Sequence, residues 1–400
     1  MKGLPLIHFL LLAEFLQLVS ARIIHAHVLD RMTPRASPTT NALWGSAYGN
    51  GLFVVVGLNG TILTSPEGAQ WTARNSGVTN DLYDIAFADG LFVAVGGTDE
   101  TTTNTIVLTS SDAVSWTPRA APAVGPIYAI AYGLGKFVAW AYTEAYEPNP
   151  DTLVTLLEST NGISWTARSS LRNLYLPDMK FLEGLFIAVG EDYNDDAPGY
   201  PAVLTSTNGL NWTRRVVPGG EGLRGISWAN GTFVTLGEAG TIFTSTNTID
   251  WINQFHHSFK SLLSTTFGDG RFVAVGGAFE PSILSSADGI AWTNHLFGLT
   301  GLLTTVTYAK GTFVTAGLKG GLYQSVPIAP VLSASNRPGD GFEVRLRGDQ
   351  GHNYEVHVST NLSTTNWTLL QSFTLVQDRT NILDTTATNS NQRFYRAVAP

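Results

Sequence analysis

Acidic and aromatic side chains concentrate in two stretches of this 400-residue chain. They are Glu144, Tyr146 and Glu147 in the first stretch, and Glu191, Asp192, Tyr193, Asp195 and Asp196 in the second. Two carboxylates flanked by tyrosines would suit glycoside hydrolysis, in which the separation of the two acids selects the mechanism. Tyrosine also anchors many binding surfaces, so the same residues would suit a face that binds a glycan or a protein. A third interpretation, solvated loops whose acids keep the protein soluble, stays open.

The second stretch also contains the spacing of a calcium loop. Asp192, Asn194 and Asp196 alternate along the chain as calcium ligands do, but Ala197 takes the place of the EF-hand glycine and no closing glutamate follows. We find no spacing typical of a catalytic Ser-His-Asp set, a phosphate-binding glycine loop or a cysteine cluster. The sequence therefore predicts no cofactor, with calcium as the alternative.

Both stretches interrupt a repeat that runs through most of the chain. A Gly-x-Phe-Val-like segment occurs seven times, at Phe53, Phe92, Phe137, Phe186, Phe233, Phe272 and Phe313. The steps between these phenylalanines are 39, 45, 49, 47, 39 and 41 residues, a period typical of four-stranded propeller blades. We expect an all-β chain with a seven-bladed β-propeller.

The second unit shows the four expected strands most clearly. They run from Leu82 to Phe87, Leu91 to Val95, Ile106 to Ser110 and Ser115 to Arg119, with a hairpin turn at Asp89-Gly90. The acidic stretches fall between the second and third strands of the third and fourth units. Because equivalent connections share one face of a propeller, we expect these residues to line a common binding face.

The last unit stops at Ser325, before any fourth strand with a tryptophan. The segment from Thr33 to Pro38 resembles Thr117 to Pro122, which is a fourth strand and its exit loop. We therefore expect the N-terminal strand to complete the last blade, which would also remove exposed sheet edges.

A turn motif, Ser-x-Asp/Asn-Gly-x-x-Trp in its clearest copies, ends the third strand of six units. Its tryptophans are Trp71, Trp116, Trp165, Trp212, Trp251 and Trp292. The acid or amide can accept backbone N–H bonds, the glycine permits a positive φ, and the indole can be buried. Six copies with variable acids favour a structural role over a catalytic one. Arginine recurs after these turns, at Arg35, Arg74, Arg119, Arg168 and Arg215, which also favours a structural role.

These turns resemble the Asp-box (BNR) repeats of the sialidase-like propeller superfamily, over roughly residues 30 to 325. The superfamily includes xyloglucanase-type glycosidases and propellers similar to photosystem assembly factors. The boxes here are one residue shorter than the usual box, and the Arg-Ile-Pro signature of sialidases does not occur. The resemblance implies the fold, with structural boxes away from the functional face. It favours a non-catalytic binding or assembly module, with a glycoside hydrolase of the sialidase-like or xyloglucanase-like type as the alternative.

Charge and the N-terminal residues narrow the environment. The net charge is −8 and the 23 basic residues are scattered, so a nucleic-acid partner is not expected. Residues 1–21 have the pattern of a signal peptide: Lys2, an apolar run from Leu4 to Leu18, and small residues ending at Ala21. We expect a secreted or cell-envelope protein that is monomeric, without disulfides and without a membrane span, since cysteine is absent and no later stretch is long and apolar enough.

The repeat ends near Pro327, and a different pattern follows. We predict the signal peptide at residues 1–21, the propeller at residues 22–326 and a small antiparallel β-sandwich at residues 327–400. Its expected strands run from Phe342 to Leu346, Tyr354 to Val358, Trp367 to Phe373, Thr380 to Leu383 and Phe394 to Val398. This segment resembles small β modules appended to exported bacterial proteins.

Overall fold

A computed structural model describes Leu29 and residues 32–98, 104–142, 153–194, 197–254, 260–277, 280–295, 298–325, 331–337, 341–347, 353–360, 367–376, 379–387 and 394–398. The predicted signal peptide and five predicted site residues lie outside these ranges, namely Glu144, Tyr146, Glu147, Asp195 and Asp196.

The described residues up to Ser325 form seven four-stranded antiparallel sheets, numbered here along the chain. Sheet 1 contains Leu43–Gly49, Leu52–Gly57, Thr61–Ser65 and Thr72–Arg74. Sheet 2 contains Asp81–Ala88, Leu91–Gly97, Thr105–Ser110 and Thr117–Pro118. Sheet 3 contains Ile127–Gly133, Lys136–Tyr142, Leu153–Ser159 and Thr166–Arg172. Sheet 4 contains Leu174–Leu182, Leu185–Asn194, Ala197–Ser206 and Thr213–Arg215.

The remaining sheets follow the same order. Sheet 5 contains Leu223–Ala229, Thr232–Gly237, Ile242–Ser245 and Ile252–Asn253. Sheet 6 contains Leu262–Gly268, Arg271–Gly277, Pro281–Ser286 and Thr293–His295. Sheet 7 contains Leu303–Ala309, Thr312–Gly317, Leu322–Ser325 and, from the other end of the chain, Met32–Pro34. Within the described ranges, helix is confined to short 3-10 turns such as Glu238–Gly240, Leu318–Gly320 and Thr385–Ala387, and no helix is long and apolar enough to cross a bilayer.

The seven sheets form a closed ring. The first strand of each sheet contacts the first strand of the next, and the first strand of sheet 7 contacts that of sheet 1. An apolar core lies between each pair of neighbours, as where Val54 and Val56 of sheet 1 pack with Phe92 and Ala94 of sheet 2. The second strands are buried on both faces, which explains why their sequences are almost entirely apolar.

The N-terminal strand completes sheet 7, as the sequence predicts. Met32 pairs with Ser325, Thr33 with Gln324 and Pro34 with Tyr323. Next to it, Arg35 Nε donates to Gln324 Oε1 at 3.0 Å.

The recurrent arginines have the structural role that their spacing favours. The Nε atoms of Arg74, Arg119 and Arg215 each donate to a threonine hydroxyl on the third strand, at 2.8, 2.7 and 2.9 Å. Arg168 uses its Nε in the same way but bonds to Glu158.

The repeated turn motif fastens the third strand of a sheet to the fourth. In sheet 6, Asp288 Oδ1 accepts the N–H groups of Ile290 and Ala291 at 2.9 and 3.0 Å, and Ser286 Oγ donates to the same oxygen. Trp292 Nε1 donates to the Gly289 carbonyl at 2.9 Å. The acid and the tryptophan of the motif therefore have the structural roles that the sequence predicts. Trp71, Trp165 and Trp251 are buried, whereas Trp116, Trp212 and Trp292 are only half-buried.

Beyond sheet 7, the described residues form two three-stranded antiparallel sheets. One contains Val331–Arg337, Gly341–Arg347 and Arg379–Asp384, and the other contains Thr368–Thr374, Asn353–Ser359 and Phe394–Val398. Val344 and Ile382 of the first sheet share an apolar core with Tyr354 and Val356 of the second. The sequence interpretation missed the strand Val331–Arg337, whose small and polar residues show no strong alternation.

Candidate functional site

The first strand of every sheet carries one extra residue near its beginning. In sheet 2, Leu82 pairs with Gly96 and Asp84 with Val95, so that Tyr83 is the extra residue between two successive pairs. Such a bulge turns a side chain out of the sheet. The seven bulge residues are Trp44, Tyr83, Tyr128, Pro177, Arg224, Leu263 and Thr304. All seven line one cavity of about 200 Å³ at the centre of the ring.

Glycine on the second strand makes room for this bulge. A Cβ atom on Gly96 would lie 1.9 Å from the carbonyl oxygen of Asp81, and one on Gly237 would lie 1.9 Å from that of Gly222. Contacts this close cannot be accommodated. The repeated glycine therefore fixes where the first strand bends and which side chain enters the cavity.

Aromatic rings form a continuous arc at the mouth of the cavity. Tyr83 and Tyr128 stack with ring centroids 4.5 Å apart, Tyr128 and Tyr175 lie 5.8 Å apart, and the Arg224 guanidinium lies 5.2 Å from the Tyr175 ring centroid. We call Tyr83, Tyr128, Tyr175 and Arg224 the aromatic arc. All four are half-buried, so each keeps an accessible surface. The arc spans sheets 2 to 5.

A buried tyrosine packs against the aromatic arc. Tyr142 packs edge-on against Tyr128 at 5.3 Å, and its hydroxyl accepts the Leu176 N–H at 2.5 Å. Burial raises the pKa of Tyr142 well above its ordinary value. This hydroxyl therefore stays neutral and acts as a positioning group.

Three charged side chains lie beside the arc. Asp84 accepts the N–H groups of Ile85 and, from sheet 3, Ile130, at 2.8 and 2.9 Å. Asp178 accepts the N–H of Ile226 from sheet 5 at 2.9 Å and lies 3.2 Å from Lys180 Nζ. Lys180 keeps 45% of its side-chain surface accessible, on the side of the cavity.

The electrostatic environments of these groups differ. Burial raises the pKa of Asp84 to about 6, because desolvation outweighs the attraction of Lys180 and the two backbone donors. The neighbouring Asp178 raises the pKa of Lys180 to about 12. The cavity lining thus carries Asp84, Asp178, the Lys180 ammonium group and the Arg224 guanidinium group.

Two of the predicted site residues that the structure describes, Glu191 and Tyr193, connect to the cavity through Arg224. Glu191 is buried, pairs with Arg224, and accepts the Tyr193 hydroxyl. Arg224 also contacts Glu238 at 2.7 Å. Desolvation, with the adjacent Glu191, raises the pKa of Tyr193. Glu191 and Tyr193 thus hold Arg224 in the arc.

Asp192 lies on the outer side of the same strand. Its Oδ2 atom accepts Arg214 Nη1 at 2.6 Å, and burial raises its pKa against the opposing effect of Arg214. Of the other members of the predicted calcium set, Asp196 and the side chain of Asn194 lie outside the described residues. Among the described side chains, no three His, Cys, Asp or Glu residues are grouped as metal ligands.

The sequence interpretation missed the cavity residues. Tyr83, Tyr128 and Arg224 sit at bulges, where the alternation of a strand breaks, so no periodicity points to them. Lys180 carried a usable signal. At its position on the first strand the other sheets have small side chains: Ala47, Ala86, Ala131, Ser227, Thr266 and Thr307.

Comparison with solved structures identifies the architecture. The chain is similar to YCF48 bound to a D1 peptide, with a TM-score of 0.56 and 17% identity over 74% of this chain and 94% of that one. It is also similar to the WD40 propeller domain of Doa1, with a TM-score of 0.54 and 12% identity over 74% of this chain and 97% of that one. The chain contains a β-propeller. A third similar structure is the Pan2 WD40 domain of Neurospora crassa, with a TM-score of 0.51 and 9% identity over 72% of this chain and 88% of that one.

These similarities show the fold alone. No protein-family model matches the sequence, and no curated protein matches it. Function must therefore be argued from the cavity and its mouth.

Proposed function

We propose that this protein is an exported, non-catalytic binding module that holds a polypeptide segment against the aromatic arc. The observation that carries the proposal is the arc itself: Tyr83, Tyr128, Tyr175 and Arg224 are preorganised and half-accessible above a cavity. Large, rigid aromatic and arginine side chains are typical anchors of binding sites, because they offer contact area at low entropic cost.

The proposal includes a finer description of the fold. The seven sheets are the blades of one propeller of the Asp-box superfamily, closed by the N-terminal strand, and residues 327–400 are an appended β-sandwich. The ring of contacts, the shared cores and the Asp288-type turns support this description. Export rests on the signal pattern of residues 1–21, and a mature chain that begins at Arg22 would support it.

A polypeptide segment fits the dimensions better than a folded domain. A cavity of about 200 Å³ accepts one side chain, whereas the arc above it extends over four sheets. The similar YCF48 structure was solved with a peptide, which is consistent with a propeller face that binds peptides. A glycan stacked on the tyrosines is the alternative ligand for the same face.

Selection of binding peptides from a random peptide library, followed by calorimetry, tests the proposal. We expect Tyr128→Ser to weaken the best peptide at least about tenfold, equivalent to about 1.4 kcal/mol. Val114→Ser is a matched control, because Val114 is exposed at the opposite end of the strands, on the turn after the third strand of sheet 2. Equal loss in both variants, or retention in Tyr128→Ser, would place binding elsewhere. Binding to a glycan array that depends on Tyr128 would replace the peptide with a sugar.

A glycoside hydrolase is the second candidate, because Asp84 and Asp178 face one cavity and the pKa of Asp84 is raised to about 6. A raised pKa suits a general acid beside an ionised carboxylate. The pairing of Asp178 with Lys180 and the backbone bonds of both acids argue against it. Turnover of aryl glycosides that disappears in Asp84→Asn would establish the enzyme; we expect none.

A further inference from the structure

Asp84 is a half-buried carboxylate whose neighbouring cation, Lys180, is bonded to another acid. Its two oxygens each accept a backbone N–H, and no described residue forms an ion pair with it. The nearby Lys180 is bonded to Asp178 instead, at 3.2 Å. Lys180 attracts Asp84 without bonding to it, and the charges of Asp84, Asp178 and Lys180 sum to −1.

The fold does not need this charge. Asp84, Asp178 and Ser264 occupy equivalent positions in sheets 2, 4 and 6, and each accepts an N–H from the next sheet. Ser264 does so with a neutral hydroxyl, 3.3 Å from the Val306 nitrogen. A serine at position 84 would therefore supply the same connection. Burying a carboxylate where a hydroxyl suffices costs stability, which points to another role for its charge.

The surroundings of Asp84 suit a cation that arrives from outside. Tyr83 directly precedes Asp84 in the chain, and its ring stacks on that of Tyr128. The π-surfaces of such rings attract ammonium and guanidinium groups. Trp44 lines the same cavity and adds a third aromatic side chain. In the adjacent sheets 1 and 7, the Ser46 hydroxyl bonds to the hydroxyls of Thr305 and Thr307, and these groups carry no charge.

The balance of charge favours the same kind of ligand. Around the cavity and its rim, the described carboxylates are Asp84, Asp178, Glu191 and Glu238, and the described cations are Lys180 and Arg224. Four carboxylates against two cations leave a net charge of −2. An anionic ligand would be repelled, and a cationic ligand would be stabilised by a field that the low dielectric strengthens.

We propose that the central cavity binds one organic cation, a guanidinium or primary ammonium group, through Asp84 and the Tyr83–Tyr128 pair. This inference rests on the proposed function, in which the cation belongs to an arginine or lysine of the bound polypeptide. The segment lies along the aromatic arc and inserts that side chain past Tyr128 toward Asp84. Lys180 limits the cavity to one such group, because a second cation would meet its ammonium.

Small probes test the cavity independently of any peptide. Calorimetry with n-butylguanidinium and n-butylammonium should show binding to the full chain at pH 7.5, and the neutral isostere n-butylurea should bind at least about tenfold more weakly. In Asp84→Ser, which keeps a hydroxyl for the Ile130 N–H, we expect cation binding to fall at least about tenfold. Asp84→Asn provides a second variant if the serine variant does not fold.

Asp112→Asn is the matched control. It removes one negative charge from the same sheet, and the equivalent turns of sheets 3 and 4 already use Asn161 and Asn208. We expect unchanged cation binding in this variant. Equal binding of n-butylurea, or unaltered binding in both Asp84 variants, would overturn the cation site. If the cation site is overturned but peptides still lose affinity in Tyr128→Ser, the proposed binding face stands. If cations bind but peptides keep their affinity in Tyr128→Ser, only the proposed function is wrong.

Discussion

Carboxylates in this molecule have pKa values that are shifted in opposite directions, depending on their access to water. Asp288 is exposed, and its pKa is lowered because the N–H groups of Ala291 and Ile290, together with Ser286, stabilise the ionised form. Asp84 is half-buried in the cavity wall, and desolvation raises its pKa to about 6. Both accept two backbone donors, so hydrogen bonding alone does not set the outcome. Access to water decides it.

The turn carboxylate gives the first prediction. Because the folded-state pKa of Asp288 lies below its ordinary value of 3.8, its stabilising effect is present above that pH and is lost as the pH falls further. Asp288→Asn should keep the turn, as Asn161 does, with a change in the free energy of unfolding below about 0.5 kcal/mol at pH 7. Asp288→Ala should cost about 1 kcal/mol through the lost backbone bonds. Thermal melts of the three proteins between pH 7 and pH 3 check this; a wild type and Asn variant that respond identically to acid would contradict it.

The cavity carboxylate predicts pH-dependent binding. Asp84 must be ionised to hold a cation, so binding should be full well above pH 6 and lost as the pH falls through that value. The groups that face it are Lys180 and Asp178 of sheet 4, Arg224 of sheet 5 and the two stacked tyrosines. We expect affinity for n-butylguanidinium to fall about tenfold between pH 7.5 and pH 5, since about a tenth of a group with this pKa is ionised at pH 5. Constant affinity across this range would exclude Asp84 as the partner.

At the scale of strands, the rim of the cavity is held by one ion-pair network. The second strand of sheet 4 is longer than its equivalents, and near its end Glu191 meets Arg224 from sheet 5. Arg224→Met would leave Glu191 buried without a cationic partner and should lower the free energy of unfolding by about 3–5 kcal/mol. Adding Glu191→Leu should recover much of that loss. Chemical denaturation of the single and double variants measures the coupling, and additive effects would show that the pair does not act as a unit.

The N-terminal strand gives a second prediction at this scale. Removing residues 22–38 deletes Met32–Pro34 and exposes the third strand of sheet 7 as an open edge. Leu29 is also lost from the core between sheets 6 and 7, so we expect the melting temperature to fall by several degrees. A chain that begins at residue 29 keeps both features and serves as the control. An unchanged melting temperature in the longer deletion would contradict this role.

Strand positions could be predicted from sequence more fully than the site could. The period of the phenylalanines located the strands of sheet 2 to within one or two residues, and the Thr33 to Pro38 segment located the strand that pairs with sheet 7. These features repeat, so they can be recognised by comparison within the chain. The residues at the bulge position, by contrast, include aromatic, basic, aliphatic and hydroxyl side chains, and only the bulge unites them. The repeat therefore predicts the strands of the sheets, whereas the bulge position, at which the repeats differ, forms the wall of the cavity.

At the scale of the whole chain, the described apolar cores fall into two groups. Seven cores lie between neighbouring sheets and contain residues up to Tyr323 only. The eighth contains only residues from Leu332 onward. A cooperative unfolding unit is defined by the core that its residues share. The boundary near Pro327, predicted from the end of the repeat, lies between these two groups.

A chain that ends at residue 326 should consequently fold and bind without the C-terminal sheets. We expect its main thermal transition to stay within about 2 °C of that of the full chain, because no described core between sheets 1 and 7 loses a residue. Its affinity for n-butylguanidinium should also be unchanged, since every residue that lines the cavity precedes Ser325. Scanning calorimetry of both chains, with the probe titrated into each, separates the two expectations. A lowered main transition with intact probe binding would show that the second group of sheets supports the ring from outside, whereas loss of binding would make it part of the site.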